Sequence, residues 1–333
     1  MQRLALVAAA VGIIASQRSL EATATTAPAA LQHAKERSAV SKKHGEPNPT
    51  PEHVPEPIFN ADAVAAARLR FHPPPVLYSL PGSGNTWTRF LVDTTLGLPS
   101  GSYYNDIGLH RSFFPGEMTC QENMSVIKAH PNNFPYDHVF LRNSSLFPKK
   151  CMKGGIQYFD STILLVREPL RSIWAEYQRM RMQNPHNHNS HTSLIPLSSF
   201  NRSHFERFSL DYAARVVREA FEDTYAQVMR AIPEPRRILV HYEDLQNHTT
   251  QRKALRKILE FLSDATFSDD RLCETFTSSE KLHRSRKGET ASRDLATPYE
   301  AVFTPKFAEE VWAVLGDALK YFGYPNPHSK HEP

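Results

Sequence analysis

The segment Pro81-Gly82-Ser83-Gly84-Asn85-Thr86-Trp87 lies between an apolar run, Val76 to Leu80, and a helical stretch reaching Leu96, and it restricts the fold more than any other part of the chain. A short apolar run ending at glycines reads as a strand, and Asn85 or Thr86 is placed to cap the helix that follows. Small residues at such a junction let backbone N–H groups approach an anion. The helix N-terminus adds partial positive charge, and the Ser83 and Thr86 hydroxyls can donate further hydrogen bonds. A generic turn is the plain alternative. The nucleotide triphosphatase form of this loop carries a Lys before its final Ser or Thr; Asn85 stands there instead, which argues against an ATPase or a kinase.

Further short apolar runs occur at Ser125 to His130, Ser161 to Arg167 and Arg237 to Tyr242, each followed by turn or helix signals. That alternation predicts an α/β sandwich of three layers around a central parallel sheet, with a P-loop-like first crossover. Helices are predicted from Pro169 to about Met182, from Phe208 to Ala231 and from Thr250 to Leu262, the last with Leu255, Ile258, Leu259 and Leu262 on one face. Thr304-Pro305 caps a final helix that carries Phe307, Val311, Leu315 and Phe322 toward the core. The Asn-, His- and Ser-rich stretch from Gln183 to Phe205 reads as a surface loop; His186, His188 and His191 have no carboxylate or cysteine beside them, so no metal site is expected.

With 333 residues, 40% hydrophobic and 22% charged, the chain can bury one enzyme-sized core. A net charge of +4 suits an anionic ligand and falls short of a nucleic-acid signal. Arg3 followed by the apolar run Leu4 to Ala15 reads as a secretory leader or a short signal anchor over residues 1–24. Residues 25–60, rich in Ala, Thr, Pro and His, read as a disordered stem, leaving residues 61–333 as the ordered domain. Glycosylation acceptor triplets begin at Asn123, Asn143, Asn201 and Asn247 and agree with a luminal protein. Of the three cysteines, Cys120 and Cys151 can pair in an oxidising lumen and leave Cys273 over; three buried thiols is the alternative.

The strand, the Pro-x-Ser-Gly-x-Thr-Trp loop and the helix resemble the 5'-phosphosulfate loop of sulfotransferases that use 3'-phosphoadenosine 5'-phosphosulfate (PAPS). Four further blocks follow in that family's order. Val126-Ile127-Lys128-Ala129-His130-Pro131 is similar to its Lys-Thr-His-Leu-Pro segment, whose histidine is the general base, so the resemblance assigns His130 and Lys128 to catalysis. Ile163 to Pro169 resembles the strand and Arg segment that grips the 3'-phosphate, which points to Arg167. His241-Tyr242-Glu243-Asp244-Leu245 resembles a block whose Tyr meets the nucleoside, and Arg286-Lys287-Gly288 resembles a C-terminal loop at the 3'-phosphate. Pro81-Gly82, Gly84 to Trp87, Arg89 and Gly101-Ser102-Tyr103-Tyr104 look most like the WSC-domain-containing, Golgi-type members, although no cysteine precedes Cys120 and no Cys-rich WSC module is expected within these residues.

The resemblance implies transfer of a sulfuryl group to a hydroxyl acceptor, a glycan above all, with no metal and no nucleic acid, in the Golgi lumen or outside the cell. It also exposes two departures. Cytosolic members carry Lys where this chain has Gly82, and Ser where it has Ala175. Arg89 and Lys128 are expected to supply the missing positive charge, and Ser172 the missing hydroxyl. Gly82, Ser83, Gly84, Asn85 and Thr86 then form the phosphate loop, while Trp87, Tyr242 and Phe276 form the adenine pocket; core packing is the plain alternative for these rings. Two other readings stay open: a P-loop phosphotransferase, and a binding module that keeps the fold without turnover.

Overall fold

Among the described residues, five strands pair in parallel: β1 (Val76–Tyr78), β2 (Gly101–Ser102), β3 (Ile127–Ala129), β4 (Thr162–Val166) and β5 (Arg237–His241), in the order β2-β3-β1-β4-β5. The structure, a computed structural model, describes residues 67–112, 114–131, 148–182, 195–287 and 299–328. All of them lie within the compact unit His53–Pro333. The expected leader and stem, the His186 to His191 stretch, Asn143 and Gly288 lie outside the described residues.

The helices are α1 (Asn85–Leu96), α2 (Ile107–Ser112), α3 (Lys149–Lys153), α4 (Pro169–Met182), α5 (Arg202–Tyr212), α6 (Ala226–Ala231), α7 (Tyr242–Gln246), α8 (Gln251–Leu262), α9 (Asp269–Lys287), α10 (Tyr299–Val302) and α11 (Pro305–Leu315). Strand alternation divides them into two outer layers. Val76, Tyr78, Ile127, Leu164 and Val166 face a core closed by Ile173 and Tyr177 of α4, Phe205 of α5 and Val311 of α11. Leu77, Ile163, Leu165 and Val240 face the other way, onto Leu91 of α1, Leu255, Ile258 and Leu259 of α8 and Phe276 of α9. Because both faces of the sheet are covered, β4 is buried along its whole length, as its unbroken apolar sequence requires. The four apolar residues expected on one face of α8 are all buried, each worth about 1.5–3 kcal/mol relative to exposure. Thr304 caps α11 as expected, its side chain accepting the Phe307 N–H.

Three elements differ from the sequence-based expectation. Helical backbone begins at Arg202 rather than Phe208, because Asn201 Oδ1 accepts the His204 N–H at 2.9 Å and caps it. It reaches Ala231 through two π-helical stretches, Ala213–Val217 and Ala220–Tyr225. The 19-residue α9 was not foreseen at all. Cys120 and Cys151 form a disulfide, and Cys273 is free and exposed.

Candidate active site

The phosphate-type loop leaves the carboxyl end of β1, the strand at which the chain order reverses between β3 on one side and β4 on the other. In open parallel sheets this is where the crevice for a ligand forms. The residue that caps α1 is Gly84, not Asn85 or Thr86; it sits in the left-handed region at φ 88°, and no side chain caps the helix. Asn85 is already helical, and its side chain turns back beneath the loop, donating to Leu77 O at 3.2 Å and to Ser79 Oγ at 3.0 Å. The first intrahelical bond runs from Thr88 N to Gly84 O at 2.9 Å, so the N–H groups of Asn85, Thr86 and Trp87 have no partner within the helix. This arrangement suits an anion.

Close packing holds the loop in place. A Cβ on Gly82 would lie 2.4 Å from the Ser172 carbonyl of α4, and one on Gly84 would lie 2.1 Å from the Tyr242 ring. The Ser83 and Ser172 hydroxyls are 3.0 Å apart, both buried, and Ser172 Oγ is also 3.4 Å from Pro81 O. Ser172 therefore braces the loop, its hydroxyl engaged with Ser83 and Pro81.

Arg167 follows β4. Its Nη1 donates to Gly82 O at 2.6 Å, its guanidinium lies 4.5 Å from the centre of the Tyr242 ring, and its Nε is buried with no hydrogen-bond partner. An unsatisfied buried donor on a cation costs free energy unless something accepts from it, and a phosphate oxygen is such an acceptor. Tyr242 opens α7 at the end of β5, where Glu243 fixes the turn by accepting from Glu168 N at 2.9 Å and from the Tyr324 hydroxyl at 2.7 Å. The rings of Trp87, Tyr242 and Phe276 gather edge to face, with Trp87 5.5 Å from Tyr242 and 6.3 Å from Phe276. All three are thus brought to one side of the loop.

His130 follows β3. Its Nδ1 lies 2.6 Å from Ser79 O. A carbonyl only accepts, so Nδ1 carries a proton, and in the neutral form of the ring the lone pair lies at Nε2, the form a general base needs. The sequence had not pointed to Ser79 as an orienting group.

Arg89 is a correction. It is 0% exposed, and its guanidinium is engaged inside the protein. Its Nη1 donates to Glu117 Oε2, its Nε to Ser100 Oγ at 2.7 Å, and its guanidinium lies 4.4 Å from the Phe114 ring centre. Lys128 Nζ donates to the same carboxylate, at 3.1 Å from Glu117 Oε1. Burial pushes Glu117 toward protonation, but Arg89 and Lys128 together pull harder and hold its carboxyl below the usual range. Ser100 passes the network on to Asp93 Oδ2 at 2.7 Å. Asp93, raised by burial to about 6, closes the cluster. Glu117 carried no signal in the sequence, because a lone carboxylate after Pro115-Gly116 looks like any exposed turn residue.

Arg286 and Lys287 lie in the last turn of α9 and not in a loop, and Gly288 is outside the described residues. Among the described residues no three His, Cys, Asp or Glu side chains are grouped as a metal site.

No family model matches the chain. A WSCD family member of Drosophila pseudoobscura pseudoobscura is 29% identical over 190 residues, which cover 56% of this chain and 49% of that protein. One from Drosophila melanogaster is 35% identical over 103 residues, 31% of this chain and 26% of the relative. One from Aedes aegypti is 35% identical over 106 residues, with the same coverage of 31% and 26%. The chain thus spans about half the length of these curated relatives, or less. Among solved structures, mouse sulfotransferase complexed with PAP aligns at a TM-score of 0.44 with 14% identity, covering 79% of this chain and 91% of the other. Retinol dehydratase in complex with androsterone and the inactive cofactor PAP aligns at 0.43 with 15% identity, covering 78% and 84%. The protein is a three-layer α/β chain around a parallel sheet, similar in sequence to WSCD family members.

Proposed function

We propose that this chain is a sulfotransferase that uses PAPS as co-substrate and delivers the sulfuryl group to a hydroxyl of a glycan. One observation carries the reading. An uncapped helix N-terminus, an arginine with an unsatisfied buried Nε and a histidine whose Nδ1 is tied to a carbonyl all stand at the carboxyl ends of three adjacent parallel strands. When bound, PAPS supplies the sulfuryl group together with a stable leaving group. The N–H groups of Asn85 to Trp87 receive the 5'-phosphosulfate charge, Arg167 receives the 3'-phosphate, and Trp87, Tyr242 and Phe276 flank the adenine. His130 Nε2 accepts the proton of the acceptor hydroxyl, and Lys128 is the cation nearest that histidine along the strand.

The proposed organisation places a leader or short type II anchor at 1–24, a stem at 25–60 and the sulfotransferase domain at 61–333, in the Golgi lumen or secreted. The Cys120–Cys151 disulfide and the exposed acceptors Asn123, Asn201 and Asn247 support an oxidising lumen. Among the described residues no helix is long and apolar enough to cross a membrane.

Incubation with radiolabelled PAPS and a glycoprotein panel tests the reading, with His130→Ala as control. Wild-type label incorporation that His130→Ala abolishes, without loss of PAP affinity by calorimetry, is the expected result. One observation favours a second reading, a nucleotide-binding relative without turnover: no cation stands in the loop, and Arg89 is committed to Glu117. PAP binding without label transfer to any acceptor would select it.

A further inference from the structure

Tyr104 has no role in the site described so far, yet it meets both catalytic candidates. Its hydroxyl oxygen accepts the backbone N–H of His130 at 2.9 Å, and its ring stacks on the imidazole with centroids 5.2 Å apart and planes 25° from parallel. The Lys128 ammonium lies 5.6 Å from the centre of the same ring. The segment that carries Tyr104 is itself pinned from three sides. Tyr103 N donates to Lys128 O at 3.0 Å, and Tyr104 N donates to Ser102 Oγ at 3.0 Å. Ser102 Oγ in turn donates to Glu117 Oε1 at 2.9 Å. Lys150 Nζ, from α3, donates to Ser102 O at 2.8 Å, to Tyr104 O at 2.7 Å and to Asn105 Oδ1 at 2.9 Å.

We infer that Tyr104 is a positioning residue for the base: it holds the His130 ring so that Nδ1 stays on Ser79 O and the Nε2 lone pair stays aimed into the crevice. The inference rests on the proposed role of His130. Its physical content is rotational. A hydrogen bond at Nδ1 does not by itself stop an imidazole from swinging about χ2, whose well is broad, or from exchanging its tautomer; a stacked aromatic face restricts the swing. The bond from His130 N to the tyrosine hydroxyl also fixes where β3 ends and the side chain begins. Tyrosine supplies both contacts, phenylalanine supplies the stack alone, and leucine supplies neither.

That ordering gives the test. In the full chain, Tyr104→Phe is expected to lower kcat about 3- to 10-fold, the scale of one hydrogen bond, and Tyr104→Leu about 100-fold, the scale of a misplaced catalytic group. KM for PAPS and the dissociation constant for PAP, by calorimetry, should move by less than about twofold in both, since neither contact touches the loop or Arg167. The acceptor probe is the same glycoprotein panel with radiolabelled PAPS. Alongside, histidine-selective 15N labelling reads the His130 ring nitrogens, assigned by their loss in His130→Gln. Wild type and Tyr104→Phe should give one well-separated protonated and unprotonated pair, and Tyr104→Leu an exchange-averaged pair. Tyr104→Leu with wild-type turnover and an unshifted 15N pair overturns the inference. So does an equal fall in melting temperature and PAP affinity for Phe and Leu, which marks a merely structural residue. If wild type transfers no label at all, the proposed function fails, while the 15N pattern still decides whether Tyr104 fixes the ring.

Discussion

Replacing Glu117 by Gln should be the most damaging conservative change in the protein. Glu117 is fully buried and neutralises two cations that are themselves almost fully buried, Arg89 at 0% and Lys128 at 5% exposure. The amide keeps the shape and removes the charge. Two unit charges 3.1 Å apart, as for Lys128 and Glu117, attract by about 5 kcal/mol at an effective dielectric of about 20. Breaking a buried pair from one side costs about 3–5 kcal/mol, because the surviving cation is left uncompensated. Here two cations are stranded, so the upper end of that range is expected. Equilibrium urea unfolding followed by tryptophan fluorescence measures it, and the same free energy should lower the melting temperature by roughly 10 °C. A companion variant, Glu117→Gln with Lys128→Met, removes one of the stranded cations and should recover part of the loss, giving a coupling of at least about 1 kcal/mol. A Glu117→Gln penalty under about 1 kcal/mol, or a double variant that is merely additive, would refute the account of a dry, mutually compensated cluster.

Three further outcomes follow from the geometry. Gly82→Lys, which restores the loop lysine of cytosolic sulfotransferases, should destabilise the fold by at least about 1–2 kcal/mol and leave transfer no faster, because Gly82 has φ 81° and a Cβ there meets the Ser172 carbonyl; unchanged urea stability with a raised kcat would contradict it. Arg167→Ala should weaken PAP by about 2 kcal/mol, roughly thirtyfold in Kd by calorimetry, with the fold intact; a change under threefold would remove Arg167 from the phosphate. Asp93 is raised by burial from 3.8 to about 6, so the native state holds a proton that the unfolded chain has released. Stability from this residue is therefore lost as pH rises from about 4 to about 6, by up to about 3 kcal/mol, and Asp93→Asn should gain on wild type across that window and level off above it. A pH-independent difference between the two proteins would exclude this.

The strands were readable because a parallel sheet covered on both faces writes itself as continuous apolar runs, and Thr162–Val166 is such a run. The loop was readable because glycine, serine and threonine between strand and helix admit few other uses. What stayed hidden has specific causes. β2 is two residues, Gly101 and Ser102, with no intrinsic preference for a strand; its pairing with β3 is imposed by tertiary contacts. α9 buries Leu272 and Phe276 but also Thr275 and Ser279, so its buried face is half polar and the helical period is faint. Arg89 looked like a ligand-facing cation because it lies one turn into the helix behind the loop. Its true partner is 28 residues away along the chain, at a distance that residue spacing cannot report. The orientation of His130 depended on a backbone carbonyl, Ser79 O, and main-chain acceptors leave no trace in residue identity.

The disulfide between Cys120 and Cys151 joins two segments 31 residues apart in sequence. The second cysteine stands next to Lys150, the residue that grips Ser102 O and Tyr104 O. The bridge therefore braces the Ser102 to Asn105 segment beside His130, whereas α1, Arg167 and Tyr242 come from other parts of the chain. On the proposed function, a chain made under reducing conditions should keep its affinity for PAP while the segment around Tyr104 is loosely assembled. A preparation made without the Cys120–Cys151 bridge should then, on the same proposed function, bind PAP and transfer little label.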